Sequence, residues 1–256
     1  MEFKDKIVII TGATGGIGAA CAKQFVEAGA KLCLVDLEID LLKKLVFDLH
    51  LLEEDYILKA CDVRNENLVK DYVDETINKF GRIDVFVNNA GVEGELAPIV
   101  MTESKNLDFV LDVNVKGVYY GLKYVLPVMY EQKSGSVINV ASVAGFIGSP
   151  GLAPYIASKH AVLGINKTAA LEAATYGVTV NAVCPGPVDN NMMRNIEKKA
   201  SPDNPDEVKS GFEQMVPLGR YATNEEVANV IYFFASEKAK YLTGTASRVD
   251  GGMGAK

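Results

Sequence analysis

The sequence predicts an α/β fold: a single domain in which helices cover both faces of a doubly wound parallel sheet of about seven strands. Two observations predict it. Short β-branched runs alternate along the chain with longer stretches of helical period, and this alternation is typical of right-handed βαβ crossovers. The short runs are continuously apolar, as expected of strands that are buried on both faces of a sheet.

The elements follow one another with glycines at the joints. Strands are predicted at Lys6–Thr11, Lys31–Asp36, Tyr56–Cys61, Ile83–Val87, Ser136–Val140, Val178–Val183 and Thr245–Val249, the last as an edge strand. Helices are predicted at Ile17–Ala28, Glu38–Leu51, Leu68–Lys79, Asp108–Tyr130, Pro154–Tyr176 and Asn224–Ala235. The most polar stretch, Asp189–Glu207, lies inside this pattern. We therefore expect one domain over residues 1–256, with a loop or lid around 189–215.

Composition and charge argue against several classes of protein. The net charge is −7 and the chain has no long run of Lys or Arg, so nucleic acid is not expected as a partner. No stretch reaches the ~18 apolar residues of a membrane span, and no export signal is visible. Two histidines and four cysteines lack metal-ligand or CxxC spacing: His50, His160, Cys21, Cys33, Cys61 and Cys184. A soluble, cytoplasmic protein without a metal or a membrane partner is expected.

A glycine-rich turn follows the first predicted strand. It reads Thr11-Gly12-Ala13-Thr14-Gly15-Gly16-Ile17-Gly18. Glycine at such a turn lets the backbone and the first N–H groups of the next helix approach a pyrophosphate. The spacing differs from the general G-x-G-x-x-G fingerprint, and a plain tight loop is the alternative. The place directly after a buried strand favours dinucleotide binding, with contacts expected from Gly12, Thr14, Gly15, Gly16, Ile17 and Gly18.

An acidic residue ends the second predicted strand. Asp36 stands where a carboxylate accepts the ribose 2′-OH of NAD and repels the additional phosphate of NADP. The neighbouring Gly15 and Leu37 offer no cation for that phosphate, so NAD is the expected cofactor. The alternative for Asp36 is a helix N-cap. Asp62 and Val63, at the end of the third strand, are expected to reach the adenine in the same way.

Three polar residues predict proton transfer. Tyr155 and Lys159 are one helical turn apart on one face, and Ser142 ends the strand that leads into their helix. Carbonyl reduction needs a hydrogen-bond donor to the oxygen, an acid, and a cation beside that acid. We expect Lys159 and an oxidised nicotinamide to lower the pKa of the phenol, by about three units (roughly 4 kcal/mol) for ionisation near pH 7.

Together these motifs resemble the short-chain dehydrogenase/reductase family, and the resemblance runs the whole length of the chain. The motifs are Thr11–Gly18, Asp62-Val63, Asn88-Asn89-Ala90-Gly91, Asn114, Ser142 with Tyr155 and Lys159, and Pro185-Gly186. The resemblance implies a Rossmann-type fold, an NAD(H)-dependent alcohol dehydrogenase or ketone reductase, and a homotetramer. Within the family, the segments NNAGVEG and PGPV are most similar to NAD-dependent reductases of cyclic ketones such as levodione.

The resemblance also implies residue roles. Asn114 would hold a water that links Lys159 to solvent. The segment around Asn89, Ala90 and Gly91 would support the central sheet and back the adenine ribose. The turn at Pro185-Gly186 would lead to Val188, whose backbone would contact the nicotinamide carboxamide. Asn190 stands where many relatives have a threonine for that contact.

The segments around these motifs predict the substrate side. Five residues are expected to line it: Glu93, Val143, Phe146, Leu152 and Met192. Four of them are apolar and the fifth is acidic, which favours a small, uncharged, fairly hydrophobic ketone or secondary alcohol. Plain packing of loops against the sheet is the alternative. Two other functions stay open: reduction of 3-oxoacyl groups on a carrier protein, and a non-catalytic NAD-sensing scaffold.

Overall fold

The chain forms the predicted parallel sheet between two layers of helices. The structure is a computed structural model, which describes residues 1–255. The strands in that range are β1 (Ile7–Thr11), β2 (Lys31–Asp36), β3 (Tyr56–Ala60), β4 (Val85–Asn88), β5 (Gly135–Val140), β6 (Val178–Pro185) and β7 (Ala246–Val249). Their order in the sheet is β3-β2-β1-β4-β5-β6-β7, and every neighbouring pair is parallel. The order reverses direction between β1 and β4, as it does in doubly wound sheets.

Helices fill both faces of the sheet. Those of the described range are α1 (Gly16–Glu27), α2 (Ile39–Asp48), α3 (Glu66–Phe80), α4 (Ser104–Leu111), α5 (Gly117–Gln132), α6 (Ala153–Ala174), α7 (Asn191–Ala200), α8 (Pro205–Met215) and α9 (Asn224–Ala235). Because successive side chains of a strand point to opposite faces of the sheet, β1 contributes side chains to the core on each face. Ile9 packs in the core with α3, α5 and α6, whereas Val8 and Ile10 pack with α1, α2 and α9.

Two predicted elements differ in the structure. The long helix expected at Asp108–Tyr130 is built from α4, a π-helical turn at Asp112–Lys116, and α5. The polar stretch around 189–215, expected to be a loop or lid, is not a loop but folds into α7 and α8, and its role as a lid remains a prediction. Asn190 caps the first turn of α7, and Pro205 begins α8 in a position that suits proline. Local capping therefore makes helices of residues whose polarity suggested a loop.

Among residues 1–255, no helix combines the length and the apolar character needed to cross a bilayer. The four cysteines are buried and unpaired. Within the same range, no cluster of three or more His, Cys, Asp or Glu side chains is arranged to hold a metal ion.

A buried carboxylate joins the amino ends of two central strands. Asp84 accepts hydrogen bonds from the Ile7 backbone N–H (3.0 Å), from Lys6 Nζ (3.0 Å) and from Arg82 Nε and Nη2 (2.9 and 2.7 Å). Burial alone would raise the pKa of this carboxyl group, but the hydrogen bonds from Arg82, Ile7 and Lys6 outweigh it and hold the pKa below its usual value. The carboxylate therefore stabilises the junction of β1 and β4 in its charged form.

We expect Asp84→Asn to lower the free energy of unfolding by about 1–3 kcal/mol at neutral pH, because charge-assisted hydrogen bonds are lost in a buried place. A carboxyl group with a lowered folded-state pKa stabilises the fold above its unfolded pKa of about 4 and ceases to do so as the pH falls through the folded value. The difference in free energy of unfolding between the wild type and Asp84→Asn should therefore become smaller as the pH falls into the acid range. Urea unfolding at a series of pH values measures it.

Asp40→Asn is the matched control, since Asp40 is exposed and its ion pair with Lys43 lies at the surface. If Asp84→Asn lowers the free energy of unfolding by the same amount down to strongly acidic pH, the charged form of Asp84 is not what stabilises this junction.

Candidate active site

The carboxyl ends of the central strands surround a cavity of about 470 Å³. Its lining includes the last residue of β2 (Asp36) and residues that follow β1 (Gly12), β4 (Asn89), β5 (Ser142) and β6 (Gly186). This edge, next to the reversal of strand order, is where open α/β sheets bind ligands. The motifs singled out in the sequence thus converge on one place.

The glycine-rich turn forms one end of the cavity. Gly12 has a left-handed backbone (φ +62°), and a Cβ at this position would come within 3.0 Å of the Ala90 Cα. Gly18 packs under the turn, where a Cβ would overlap the Gly12 carbonyl. Helix α1 begins at Gly16, and no side chain caps its first turn. The lining residues of this turn are Gly12, Thr14, Gly15, Gly16 and Ile17, whereas Gly18 lies behind them.

Hydrogen bonds join this turn to the end of β4. The Thr11 hydroxyl accepts from the backbone N–H groups of Asn89 (2.9 Å) and Ala90 (3.0 Å). The Asn89 amide donates in return to the carbonyls of Thr11 (3.0 Å) and Gly12 (3.1 Å). Asn89, Ala90 and Gly91 all line the cavity, so the same residues support the sheet and form part of the wall.

Asp36 lies on the cavity wall at the end of β2. Its carboxylate accepts hydrogen bonds from the Thr14 N–H (2.8 Å), the Thr14 hydroxyl (2.7 Å) and the Leu37 N–H (2.8 Å). The helix-cap alternative is wrong, because α2 begins after Glu38, whose side chain makes no capping bond. The Leu37 side chain is 65% exposed and lies outside the cavity. A single carboxylate is therefore presented at this end.

Asp62 and Val63 do not line this cavity, and their contact with the adenine remains a prediction. The Asp62 carboxylate is paired with Arg64 (2.6 Å), and this hydrogen-bonded ion pair lowers the pKa of Asp62. Val63 is buried against α5, where a Cβ on Gly117 would come within 2.8 Å of its side chain. Both residues are held by neighbours that the strand pattern does not reveal.

Ser142, Tyr155 and Lys159 also line the cavity. The Ser142 hydroxyl donates to the Pro185 carbonyl (3.3 Å) and accepts from the Ala144 N–H (3.1 Å). Tyr155 stands in the first turn of α6. Lys159, one turn further on, places its Nζ 5.5 Å from the centroid of the Tyr155 ring and donates to the Val140 carbonyl at 3.0 Å. The helical spacing therefore does put the phenol and the ammonium on one face.

Burial controls the protonation of this pair. Burial raises the pKa of the Tyr155 phenol to about 12, against a lowering by the Ser142 hydroxyl, and the charge of Glu93 adds to the rise. Burial lowers the pKa of Lys159 to about 8. The lowering of the phenol pKa expected from Lys159 together with an oxidised nicotinamide remains a prediction, because without nucleotide burial is the main influence on this pKa and raises it.

Asn114 lies behind this pair in the π-helical turn between α4 and α5. Its amide oxygen accepts from the Val92 N–H (2.8 Å), and its amide nitrogen donates to the Val92 carbonyl (2.9 Å) and the Ser158 hydroxyl (3.0 Å). The side chain is 1% exposed and lies outside the cavity. It links the strand-end segment to α6, next to Lys159. A π turn inside a helix is a frequent feature of functional sites.

Comparison with known proteins agrees with this arrangement. The family model described as enoyl-(acyl carrier protein) reductase matches residues 12–254. Levodione reductase of Leifsonia aquatica is 38% identical over 257 residues, which cover 99% of this chain and 96% of that protein. The chain belongs to the short-chain dehydrogenase/reductase family, and it is an oxidoreductase.

Other members of the short-chain dehydrogenase/reductase family are similarly close. The 3-oxoacyl-[acyl-carrier-protein] reductase FabG of Thermotoga maritima is 38% identical over 99% of both chains. The crystal structure of levodione reductase has a TM-score of 0.96 over 99% of both chains. NAD⁺-bound xylitol dehydrogenase (TM-score 0.92, 33% identity) covers 98% of this chain and 100% of its own. The structure of NADP-bound ElxO has a TM-score of 0.90 and 30% sequence identity, and the match covers 98% of this chain and 99% of ElxO.

The segment after β6 lines the cavity through Pro185, Gly186, Val188 and Asn190, as the resemblance to the family implies. The Asn190 side chain is engaged locally: its oxygen accepts from the N–H groups of Met192 (3.1 Å) and Met193 (3.4 Å) at the start of α7. This capping role was not predicted. It commits the side-chain oxygen to the helix, so the predicted contact of Asn190 with a carboxamide remains a prediction.

The rest of the cavity wall is apolar. Val143, Leu152 and Met192 line it, as predicted. Sequence reasoning missed Ile147, Ile156, Met193, Ile196, Phe212 and Met253. The helical spacing of Met192, Met193 and Ile196 in α7 is a signal that could have revealed part of this set. For Met253, in the last turn of the chain, no local pattern gave a signal.

Two predicted pocket residues are elsewhere. Glu93 is 11% exposed, pairs with Lys199 of α7 (3.1 Å) and lines a separate, neighbouring pocket. Phe146 is 44% exposed and lies beside Arg248, whose guanidinium carbon is 5.7 Å from the ring centroid. Neither side chain lines the main cavity, and each contacts a cation from a distant part of the chain.

Since burial raises the phenol pKa, we expect Tyr155 to stay protonated from pH 7 to about pH 10 in the protein without added nucleotide. Difference absorbance of tyrosinate should therefore give equal titrations of the wild type and Tyr155→Phe in that interval. An additional wild-type phenol that ionises below pH 9 would contradict the dominance of burial.

Proposed function

We propose that the protein is an NAD(H)-dependent dehydrogenase that interconverts a small, uncharged, fairly hydrophobic ketone and its secondary alcohol. One observation carries the proposal: Ser142, Tyr155 and Lys159 line a single cavity that is also lined by the glycine-rich turn and by apolar side chains. This combination supports carbonyl chemistry more directly than any other reaction.

The chain offers a fitting place for a dinucleotide. The backbone at Gly12 comes close to Ala90, and a side chain at this position would fill the turn. No side chain caps the first turn of α1, so its N–H groups suit a pyrophosphate. Bound NAD(H) supplies or accepts the hydride. Asp36 would receive the adenosine ribose, and Asn89, Gly91, Pro185 and Val188 would form the remaining wall.

The protein's own residues would handle the proton. Tyr155 is protonated at neutral pH because of burial, which suits donation to a carbonyl oxygen. Ser142 would donate a hydrogen bond to that oxygen once its proton turns away from the Pro185 carbonyl. Lys159, whose pKa is about 8, keeps a positive charge beside the phenol at neutral pH and stabilises the phenolate that forms. Asn114 would support α6 and the proposed route of the proton.

NAD rather than NADP is proposed because Asp36 places a negative charge where the additional phosphate of NADP would bind. Its two oxygens already accept three hydrogen bonds from Thr14 and Leu37, which hold the carboxylate in position. A cyclic ketone is the proposed form of substrate. Levodione reductase, one of the similar proteins, supports this class by its name alone.

Reduction of 3-oxoacyl groups on a carrier protein is the second candidate, because a protein of that name is equally similar in sequence. An acidic carrier would be repelled by a net charge of −7, and Asp36 disfavours NADPH. Comparing rates for free cyclic ketones and for a 3-oxoacyl carrier protein separates the two candidates.

A homotetramer is proposed on the family resemblance. Tyr119 of α5 and Leu171 of α6 are large exposed side chains on two long helices that cover the same face of the sheet, and they are compatible with contacts between subunits. Light scattering coupled to gel filtration measures the assembly directly.

We expect Tyr155→Phe to lower kcat for ketone reduction by about 10²–10⁴-fold, since the variant lacks the proton donor. NADH binding, followed by fluorescence, should be unchanged because the ring remains. Tyr241→Phe is the control, because the side chain of Tyr241 is fully exposed. Substantial turnover in Tyr155→Phe would contradict the proposed mechanism.

We expect Asp36→Asn to lower the ratio of kcat/KM with NADH to kcat/KM with NADPH at least tenfold, or about 1.4 kcal/mol. Asparagine keeps one oxygen for the hydrogen bonds from Thr14 but removes the charge that repels a phosphate. Asp40→Asn, at an exposed position of α2, should leave the ratio unchanged. An unaltered ratio in Asp36→Asn would mean that another feature selects the cofactor.

A further inference from the structure

We propose that the C-terminal turn, residues Asp250–Ala255, is a wall of the substrate site and that Met253 sets the size of ketone it accepts. The inference rests on the proposed function and extends it to a segment that the known motifs do not include. Met253 lines the same cavity as Ser142 and Tyr155. It stands 94 residues beyond Lys159 in the chain, and strand β7 brings it there.

The position of the turn assigns it to the substrate side. β7 and the glycine turn after β1 lie at opposite ends of the strand row β1-β4-β5-β6-β7. The C-terminal turn contacts the end of the α7–α8 segment: Leu218 N–H donates to the Gly251 carbonyl (3.2 Å), and Gly252 lies against Pro217. Met253 therefore closes the cavity from the side away from the proposed pyrophosphate.

The turn is held in one shape by its own backbone and by Asp250. The Asp250 carboxylate accepts from the N–H groups of Gly252 (3.0 Å) and Gly254 (2.9 Å), and the Met253 N–H donates to the Asp250 carbonyl (3.0 Å). A chain end without such bonds would be expected to fray. The bonds therefore make the Met253 side chain a defined part of the wall.

Two clamps join the turn to the rest of the site. Arg248 donates to the Gly254 carbonyl and lies beside the Phe146 ring, in the loop that follows Ser142. At Gly186, a Cβ would come within 2.9 Å of the Asp250 Cα. The glycine of the Pro185-Gly186 turn is thus required by the approach of the C-terminal segment. The C-terminal segment also accounts for the exposed position of Phe146, because the Phe146 ring packs beside Arg248.

Methionine at this place suits an apolar and adaptable wall. Its unbranched, polarisable side chain fills irregular spaces and makes favourable contacts with rings. Met192 and Met193 line the cavity as well, from the start of α7. Methionines from two separate segments therefore line the cavity, and shortening the one on the C-terminal turn should enlarge it without touching α7.

The first test compares a bulky and a small cyclic ketone with NADH. We expect Met253→Ala to change the ratio of kcat/KM in favour of the bulky ketone at least about tenfold, mainly through KM for the bulky ketone. Met253→Leu should restore most of the wild-type ratio. Met101→Ala, at an exposed position that does not line the cavity, is the control. An unchanged ratio in Met253→Ala would overturn the inference.

Arg248 is tested as a positioning residue. If it acts through Met253, Arg248→Ala should change the same ratio, and the double variant should change it no further than Met253→Ala does. Additive effects of the two substitutions would overturn the positioning role.

A binding measurement separates this inference from the proposed function. With methyl-¹³C methionine in the Tyr155→Phe variant, NADH and cyclohexanone should shift the Met253 signal, assigned by Met253→Leu, and leave Met101 unmoved. If the wild type reduces no ketone but this shift appears, the proposed reaction fails while the wall assignment holds. If ketones are reduced and the Met253 signal does not move, the wall assignment fails.

Discussion

The parallel arrangement of the strands is the constraint on which the rest of this protein depends. Parallel strands bring all their carboxyl ends to one edge, and the reversal of order between β1 and β4 opens a crevice there. Hydrogen bonds from Asn89 to Thr11 and Gly12 hold the two sides of the crevice together, while Asp84 joins the same strands at the other edge. Residues that are far apart in sequence therefore share one cavity.

The electrostatics of the site follow from its burial. A phenol and an ammonium that lie close together in water would each favour the charged form of the other. Here loss of hydration is the stronger effect, so the pKa of Tyr155 rises and that of Lys159 falls. The site holds a protonated acid beside a cation whose pKa is about 8. Such an arrangement is suited to carbonyl reduction, which needs a proton donor. Alcohol oxidation needs the phenolate as a base instead, so in that direction a bound positive charge would have to lower the pKa of the phenol.

The apolar part of the cavity wall is assembled from three separate segments. The loop after Ser142, helices α7 and α8, and the C-terminal turn each contribute apolar side chains to one wall. Charged pairs lie behind this wall: Glu93 with Lys199 joins the strand-end loop to α7, and Arg248 joins the C-terminal turn to Phe146. The family fold keeps Ser142, Tyr155 and Lys159 on one cavity wall, whereas these attachments join the segments that form its apolar part.

The sequence by itself determined the α/β class, the strand and helix pattern, the glycine turn, Asp36 at the end of β2, and the shared face of Tyr155 and Lys159. All of these depend on local periodicity or on the common edge of parallel strands. Only the tertiary structure decided that Glu93 and Phe146 do not line the main cavity, that Met253 does, and that the pKa of Tyr155 rises. Those features depend on contacts between distant residues, such as the 106-residue separation of Glu93 and Lys199, and on burial, which no local pattern encodes.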